Sequence, residues 1–361
     1  MFDNKIILTG IKPTGTPHLG NYVGAIKPVL EMVKGNKSIV FIADMHALNI
    51  ISDPKLISKY SYEVAATFLA LGLNPEQTIF FRQSDVPEVV QMSSLLSNVT
   101  PKGLMNRAHS YKAKTDKNRE KGEDIDSGVN MGLYTYPILM AADILLYGAD
   151  IVPVGKDQKQ HVEFARDIAG SFNHIYGKNL LKIPERYIQQ DAGLIPGLDG
   201  RKMSKSYDNY IPIFAPEKQL KKLIMRIITD SKLPEESKNP EESSIFNLYK
   251  HFASSQEIET MRQNFLNGGM GYGTAKQMLF DAINSKLKSA RDKYEVLMNN
   301  TNEIDEILLA GAYKARAIAQ PILNKVSNAM LGKSIVQDAN YSREGDIKKK
   351  LIYDKMCGKR L

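Results

Sequence analysis

Three stretches of the chain hold residues whose types and spacing suit chemistry on a phosphate-bearing substrate. The first is LTGIKPTGTPHLGN at 8–21, in which a strand end, a Gly/Pro/Thr loop and a helix start follow one another. That order presents free backbone N–H groups to an anion. His18 and Asn21 lie one helical turn apart, so both reach the same face of the helix start as hydrogen-bond donors to phosphate oxygens. An ordinary βα loop would read the same way. The second is RKMSKS at 201–206, where Lys202 and Lys205 stand three apart in a glycine-flanked loop with Ser204 and Ser206 as neutral donors. Phosphoryl and nucleotidyl transfer demand charge neutralisation and positioning more than covalent help, and mobile ammonium groups supply both. Charge pattern alone would equally describe a solvated surface loop. The third runs from 136 to 161. Tyr136, Met140, Asp143 and Tyr147 follow steps of four, three and four along an otherwise apolar helix and so share one face. A carboxylate there is costly without a partner, which is either a nearby cation or a ligand donor.

The elements that position these residues follow from hydrophobic period and punctuation. KIILTG at 5–10, SIVFIAD at 38–44, QTIFFRQS at 77–84 and DIVPV at 150–154 read as short buried strands. Helical patterns start near Leu19 and cover 54–73, 86–98, 132–147 and about 157–173. This alternation predicts an α/β fold, a doubly wound parallel sheet with helices on both faces. KTDKNREKGEDIDSG at 114–128 is nearly all charged or small and reads as a mobile surface loop. GLIPGLDGRKMSKSYDN at 193–209 is a second loop. Beyond about 213 the strand signal vanishes, and periodicity at 216–230, 244–253, 273–299 and 302–331 predicts an all-helical C-terminal domain. The expected division is 1–212, 213–335 and a basic extension, 336–361, that ends in REGDIKKKLIYDKMCGKRL. GKDQKQH at 155–161 falls between the fourth strand and its helix, at the carboxyl end of the sheet where such folds bind ligands. Gly155 permits close backbone approach to a nucleotide, and His161 shares a helical face with Asp157. Asp157 serves equally as a ribose-hydroxyl acceptor or as a helix N-cap.

Composition narrows the classes. With 361 residues and 43% apolar content the chain can bury a full core. No apolar run nears the ~20 residues of a membrane span, and the N-terminus lacks a basic-then-apolar leader, so an intracellular, cytoplasmic protein is expected. Cys357 is the only cysteine, which excludes internal disulfides and a cysteine zinc site. A formal charge of +8 favours an anionic partner.

TPHLGN at 16–21 together with KMSKS at 202–206 resembles the paired signatures of class I aminoacyl-tRNA synthetases, and YPILMAADILLYGADIVPVGKDQKQH at 136–161 resembles their tryptophanyl branch. The resemblance spans about 5–332. Pro17 before the histidine and Asn21 in place of a second histidine depart from the commonest signature, and Asn21 is usual for that branch. The resemblance implies a Rossmann-like core that binds ATP with Mg2+, L-tryptophan and tRNA(Trp), with no resident metal, in a homodimer. By position, His18, Asn21, Lys202 and Lys205 would stabilise charge in the transition state. Lys12, Pro13, Thr14, Gly20, Asn21, Gly155, Lys156, Asp157, Leu194 and Lys202, Met203, Ser204, Lys205 and Ser206 would contact ATP. Lys112 and Lys114 are further triphosphate candidates that equally suit a solvent-facing pair. For the amino acid, an indole offers one N–H and a large apolar body, matching an acceptor set among apolar neighbours. Asp143 would take that hydrogen. Leu8, His46, Tyr136, Met140, Val152 and Val154 would surround the ring, and Gln158 would hold the amino group. Leu8 stands where several relatives carry phenylalanine. The helical region would help read the anticodon, with Lys218, Lys221, Lys222 and Arg226 either touching phosphates or merely solvated. A tyrosyl-type synthetase and a non-charging regulatory paralogue that binds tRNA or tryptophan remain alternatives.

Overall fold

The computed structural model describes residues 5–155, 159–177, 179–188 and 194–334. Five strands, β1 (Ile7–Ile11), β2 (Ser38–Ile42), β3 (Thr78–Arg82), β4 (Ile151–Val154) and β5 (Glu185–Ile188), form one sheet in the order β3-β2-β1-β4-β5. Every neighbouring pair is parallel, with Gly10 opposite Phe41 and Phe41 opposite Phe81. The order reverses between β1 and β4. In a doubly wound sheet that switch point opens a crevice at the carboxyl ends of the strands, because the connections on either side run in opposite directions.

Helices follow in chain order: α1 (Leu19–Asn21), α2 (Lys27–Val33), α3 (Asp44–Ala47), α4 (Pro54–Ala70), α5 (Glu88–Ser97), α6 (Lys102–Met105), α7 (His109–Glu120), α8 (Met131–Leu145) and α9 (Lys159–Tyr176). The remainder is helical, with α10 (Glu217–Met225), α11 (Ser244–Tyr249), α12 (Ser255–Asn267), α13 (Tyr272–Asn299) and α14 (Thr301–Leu331). Among the described residues no strand follows Ile188. A π-helical turn, Tyr22–Ile26, joins α1 to α2, where Pro28 lacks an N–H for a regular ladder.

Strand residues alternate between two cores, which is why the strands read as unbroken apolar runs. Val40, Ile42 and Phe80 face α4 and a core that continues into α10, α11 and α13, whereas Leu8, Phe41, Phe81, Val152 and Val154 face α8, α9 and α14. Helix α14 packs directly onto β3 through Gly311, where a Cβ would stand 1.8 Å from the Phe80 carbonyl oxygen. No helix of the described residues is long and apolar enough to cross a membrane.

The segment 114–128 differs from the expected loop. Residues 114–120 continue α7, and the turn after them hangs on Asn118, which is buried and donates to the carbonyls of Ile125 and Ser127 at 3.0 and 2.8 Å. Polar composition hid a helix whose charges pair along its surface, as Asp116 does with Arg119. Hydrophobic period also misses the short helices α3 and α6, together with β5 and α12. Strand β5, ERYI, is a short edge strand with exposed charges instead of an apolar run. Helix α12 carries a legible sign, the Ser254–Glu257 capping box.

Candidate active site

At the switch point lies a cavity of about 490 Å3, lined by the ends of β1, β2 and β4, by α8 and by Lys205 from the distant loop. Its walls and its mouth differ in chemistry.

The inner end is apolar around one carboxylate. Leu8, Phe41, Tyr136, Met140, Val152 and Val154 line it together with Asp143 and His46. Asp143 is 1% exposed. It accepts from His46 Nε2 at 2.9 Å, and the Gln83 amide nitrogen lies 2.8 Å from each of its oxygens. Burial pushes the carboxyl upward, and the His46 and Gln83 hydrogen bonds oppose that shift. The partner that a buried Asp143 requires is therefore a neutral amide with a histidine, and among the described residues no lysine or arginine is paired with it. Helix α8 turns this face inward by packing Ile138, Ala141, Ala142 and Leu145 into the core, and Asn130 caps its start by accepting from the Leu133 N–H at 2.8 Å. Tyr136 makes an edge contact with His161, its hydroxyl 3.2 Å from His161 Nε2, and Lys12 Nζ stands 5.7 Å from the Tyr136 ring centre.

The mouth is cationic. Lys12, Thr14, Gly15, Asn21, Gly155 and Lys205 line it. The ammonium groups of Lys12 and Lys205 both have lowered pKa values, chiefly from desolvation in the cleft, so an arriving anion would restore favourable charge. Gly15 sits at φ +129°, and Lys205 Nζ would be 2.9 Å from a Cβ placed there, so glycine lets the ammonium lie on the loop.

The two signature loops meet in space. The Gly20 N–H points at Met203 Sδ, 3.2 Å away, and the Leu19 N–H donates to the Ile211 carbonyl at 2.9 Å. Buried Asn209 shapes the second loop by accepting from the Ser204 N–H at 2.8 Å and donating to the Lys202 carbonyl at 3.2 Å. His18 caps α1, with its Nδ1 accepting from the Asn21 N–H at 3.3 Å while Asn21 Oδ1 accepts from the His18 N–H at 3.2 Å. Capping commits Nδ1, so the proton of the neutral ring sits on Nε2. Desolvation first, then the nearby Lys205 charge, lowers the His18 pKa to about 4.

The residues expected at the amino-acid end thus gather around one cavity, Leu8, His46, Tyr136, Met140, Asp143, Val152 and Val154 all lining it. Of the nucleotide candidates, Lys12, Thr14, Asn21, Gly155 and Lys205 line it. Pro13, His18, Gly20 and Met203 pack behind the mouth. Lys202, Ser206 and Leu194 are exposed beside it, and Ser204 caps the short turn Lys205–Tyr207. Lys114 is drawn elsewhere, its Nζ lying over Gly128, and Lys112 is exposed on α7. Lys218, Lys221, Lys222 and Arg226 are exposed on and just after α10, with Lys221 over the Phe280 ring. Lys156, Asp157 and Gln158, like the extension 336–361, lie outside the described residues. Gln83 went unread, although its place directly after β3, at the carboxyl edge of the sheet, is a signal that could have found it.

Residues 3–288 match the family model described as tRNA synthetases class I (W and Y). A tryptophan--tRNA ligase of Pseudomonas aeruginosa is 50% identical over 343 residues, which cover 94% of this chain and 76% of that protein. One of Xanthomonas axonopodis pv. citri is 48% identical over 327 residues, covering 90% and 76%. Among solved structures, the tryptophanyl-tRNA synthetase of Campylobacter jejuni complexed with ADP and tryptophan superimposes with a TM-score of 0.82 at 43% identity, covering 90% of this chain and 99% of that one. A tyrosyl-tRNA synthetase of Archaeoglobus fulgidus, at 20% identity and a TM-score of 0.59 over 80% of this chain and 90% of that one, shares the fold alone. On the match of more than half its length and on its relatives at about 50% identity, the chain belongs to the class I tRNA synthetases of the tryptophan and tyrosine family, among the tryptophan--tRNA ligases.

Proposed function

We infer that this chain activates L-tryptophan with ATP and transfers the tryptophanyl group to the 3′ end of tRNA(Trp). The observation that carries the reading is one cavity with a buried carboxylate among apolar side chains at its inner end and two ammonium groups at its mouth. An indole body with its single N–H fits the first, and a triphosphate fits the second.

In the activation step a tryptophan carboxylate oxygen attacks the α-phosphorus of ATP. A bond from that phosphorus to the bridging oxygen breaks, pyrophosphate leaves with the electron pair, and tryptophanyl-adenylate remains. No side chain becomes covalent. Lys205 and Lys12, with donors from Asn21 and His18 Nε2, offset the charge on the phosphates, while Mg2+ enters with the triphosphate as part of the substrate. The fixed sheet holds the reactants in line. In the second step a terminal adenosine hydroxyl of tRNA attacks the carbonyl carbon, the bond from that carbon to the phosphate oxygen breaks, and AMP departs with the electron pair while the hydroxyl proton is released. We assign the chemistry to 1–212 and tRNA contact to the helical region 213–335. A homodimer acting in the cytoplasm is the assembly that the resemblance supports.

ATP–pyrophosphate exchange measured with each of the twenty amino acids tests the reading. Tryptophan alone should support rapid exchange. Exchange driven by tyrosine, or by none of the twenty, would overturn it.

A further inference from the structure

We propose that Gln83 is a specificity-positioning residue, one that holds the Asp143 carboxylate as an ionised acceptor and aims its free lone pair into the tryptophan cavity. The inference rests on the tryptophan reading above and extends it to a residue that does not line the cavity.

Gln83 follows β3, is 0% exposed, and places its amide nitrogen 2.8 Å from both Asp143 oxygens. A donor equidistant from the two oxygens engages both at once, and together with the His46 contact on Oδ2 it limits how the carboxylate can turn. His46 Nε2 takes a second position on Oδ2 at 2.9 Å. An ionised carboxylate has about four lone-pair positions. With Oδ2 contacted twice and Oδ1 once, the least occupied position is on Oδ1, and a buried N–H from an indole would be accepted there. The Gln83 carbonyl oxygen and His46 Nδ1 have no hydrogen-bond partner among the described residues, so neither group is held by anything but Asp143 on this side.

What holds Gln83 is its neighbour. Arg82 donates from Nε to Asp85 at 3.0 Å and from Nη2 to Asp305 of α14 at 2.8 Å, and Tyr62 also donates to Asp305. This clamp ties the end of β3 to α4 and α14 and so fixes the backbone from which the Gln83 side chain extends. The charged and titratable groups facing Asp143 are His46 and Asp44 from α3, and Tyr147 beyond α8, with Glu88 of α5 acting on Tyr147. Burial and Asp44 favour the neutral acid, while Gln83 and His46 favour the anion. Removing the amide donor therefore moves Asp143 towards the protonated form, which offers fewer acceptor positions to an N–H.

The test compares the full-length wild type with Gln83→Met, close in volume and unable to donate, and Gln83→Glu, which sets a second carboxyl against the first. Each is assayed by pyrophosphate exchange for KM of tryptophan, KM of ATP and the pH dependence of kcat/KM for tryptophan. Gln83→Met should raise KM for tryptophan by about 10- to 100-fold, the range for one hydrogen bond to a charged group, with KM for ATP little changed. Its acidic limb should move to higher pH, and that of Gln83→Glu further. Circular dichroism and a cooperative melt establish that the variants are folded. Equal losses in both KM values, or an acidic limb that stays in place, would overturn the proposal and leave Gln83 a packing residue. A wild type that fails to exchange with tryptophan would instead defeat the underlying reading, which separates the two failures.

Discussion

Replacing Asp143 with alanine perturbs both the ligand and the protein, and the two effects can be sized separately. In the folded protein the change strips an acceptor from two buried donors, His46 Nε2 and the Gln83 amide, at 2.9 and 2.8 Å. Each orphaned buried donor costs ~1–3 kcal/mol, so the variant should lose ~2–6 kcal/mol, less whatever is recovered by no longer burying a charge. Against a typical total of ~5–15 kcal/mol, the loss leaves the variant folded at 25 °C unless the wild type lies near the bottom of that range. For the substrate, the indole N–H would enter an apolar pocket with no acceptor. A site built around one hydrogen bond discriminates by about 10⁴ or more when that bond cannot form, near 5.5 kcal/mol at 1.36 kcal/mol per decade. We therefore expect kcat/KM for tryptophan in pyrophosphate exchange to fall by about 10³–10⁴-fold, while ATP binding, carried by the mouth, changes by less than about threefold. Asp143→Asn, which keeps one acceptor oxygen, should fall between the two and be the more stable variant. Urea unfolding of each variant fixes the folded fraction at the assay temperature. An Asp143→Ala protein that is folded and retains wild-type kcat/KM for tryptophan would refute the role assigned to this carboxylate.

Three further outcomes are expected. Lys205→Ala should lower the exchange kcat by about 10²–10³-fold, the cost of removing one preorganised charge from a transition state, and a change below about threefold would exclude Lys205 from charge stabilisation. Because the folded His18 pKa is lowered to about 4 from 6.5, the unfolded chain binds the proton first on acidification. Its contribution is complete above pH 6.5 and is lost as pH falls towards 4, on the order of 3 kcal/mol across that window. His18→Asn keeps a capping acceptor and should flatten that dependence in urea unfolding at pH 4.5 and 7.5, so an unchanged difference between the two pH values would contradict it. Gly311→Ala must push α14 away from β3, since its Cβ would sit 1.8 Å from the Phe80 carbonyl oxygen. Overpacking of this kind costs ~1–3 kcal/mol, and a melting temperature equal to wild type would show that the helix does not press on the strand as described.

The sequence alone determined the local elements and the chemistry they could hold. Strands β1 to β4 were legible because a strand buried on both faces is a continuous apolar run, and the inward face of α8 because residues four, three and four apart share one side of a helix. The anion-suited loops were legible because glycine, proline, lysine and serine leave few other uses for such strings. Failures came where signal is short or polar. Strand β5 has four residues at an exposed edge, and α7 is a helix whose surface is nearly all polar. Only the tertiary structure decided which groups meet. His46 and Gln83 reach Asp143 across 97 and 60 residues, and Lys205 reaches Gly15 across an even longer stretch of chain. Periodicity and capping act within about ten residues, whereas these contacts depend on strand order and on which face each helix packs, and those are properties of the assembled core.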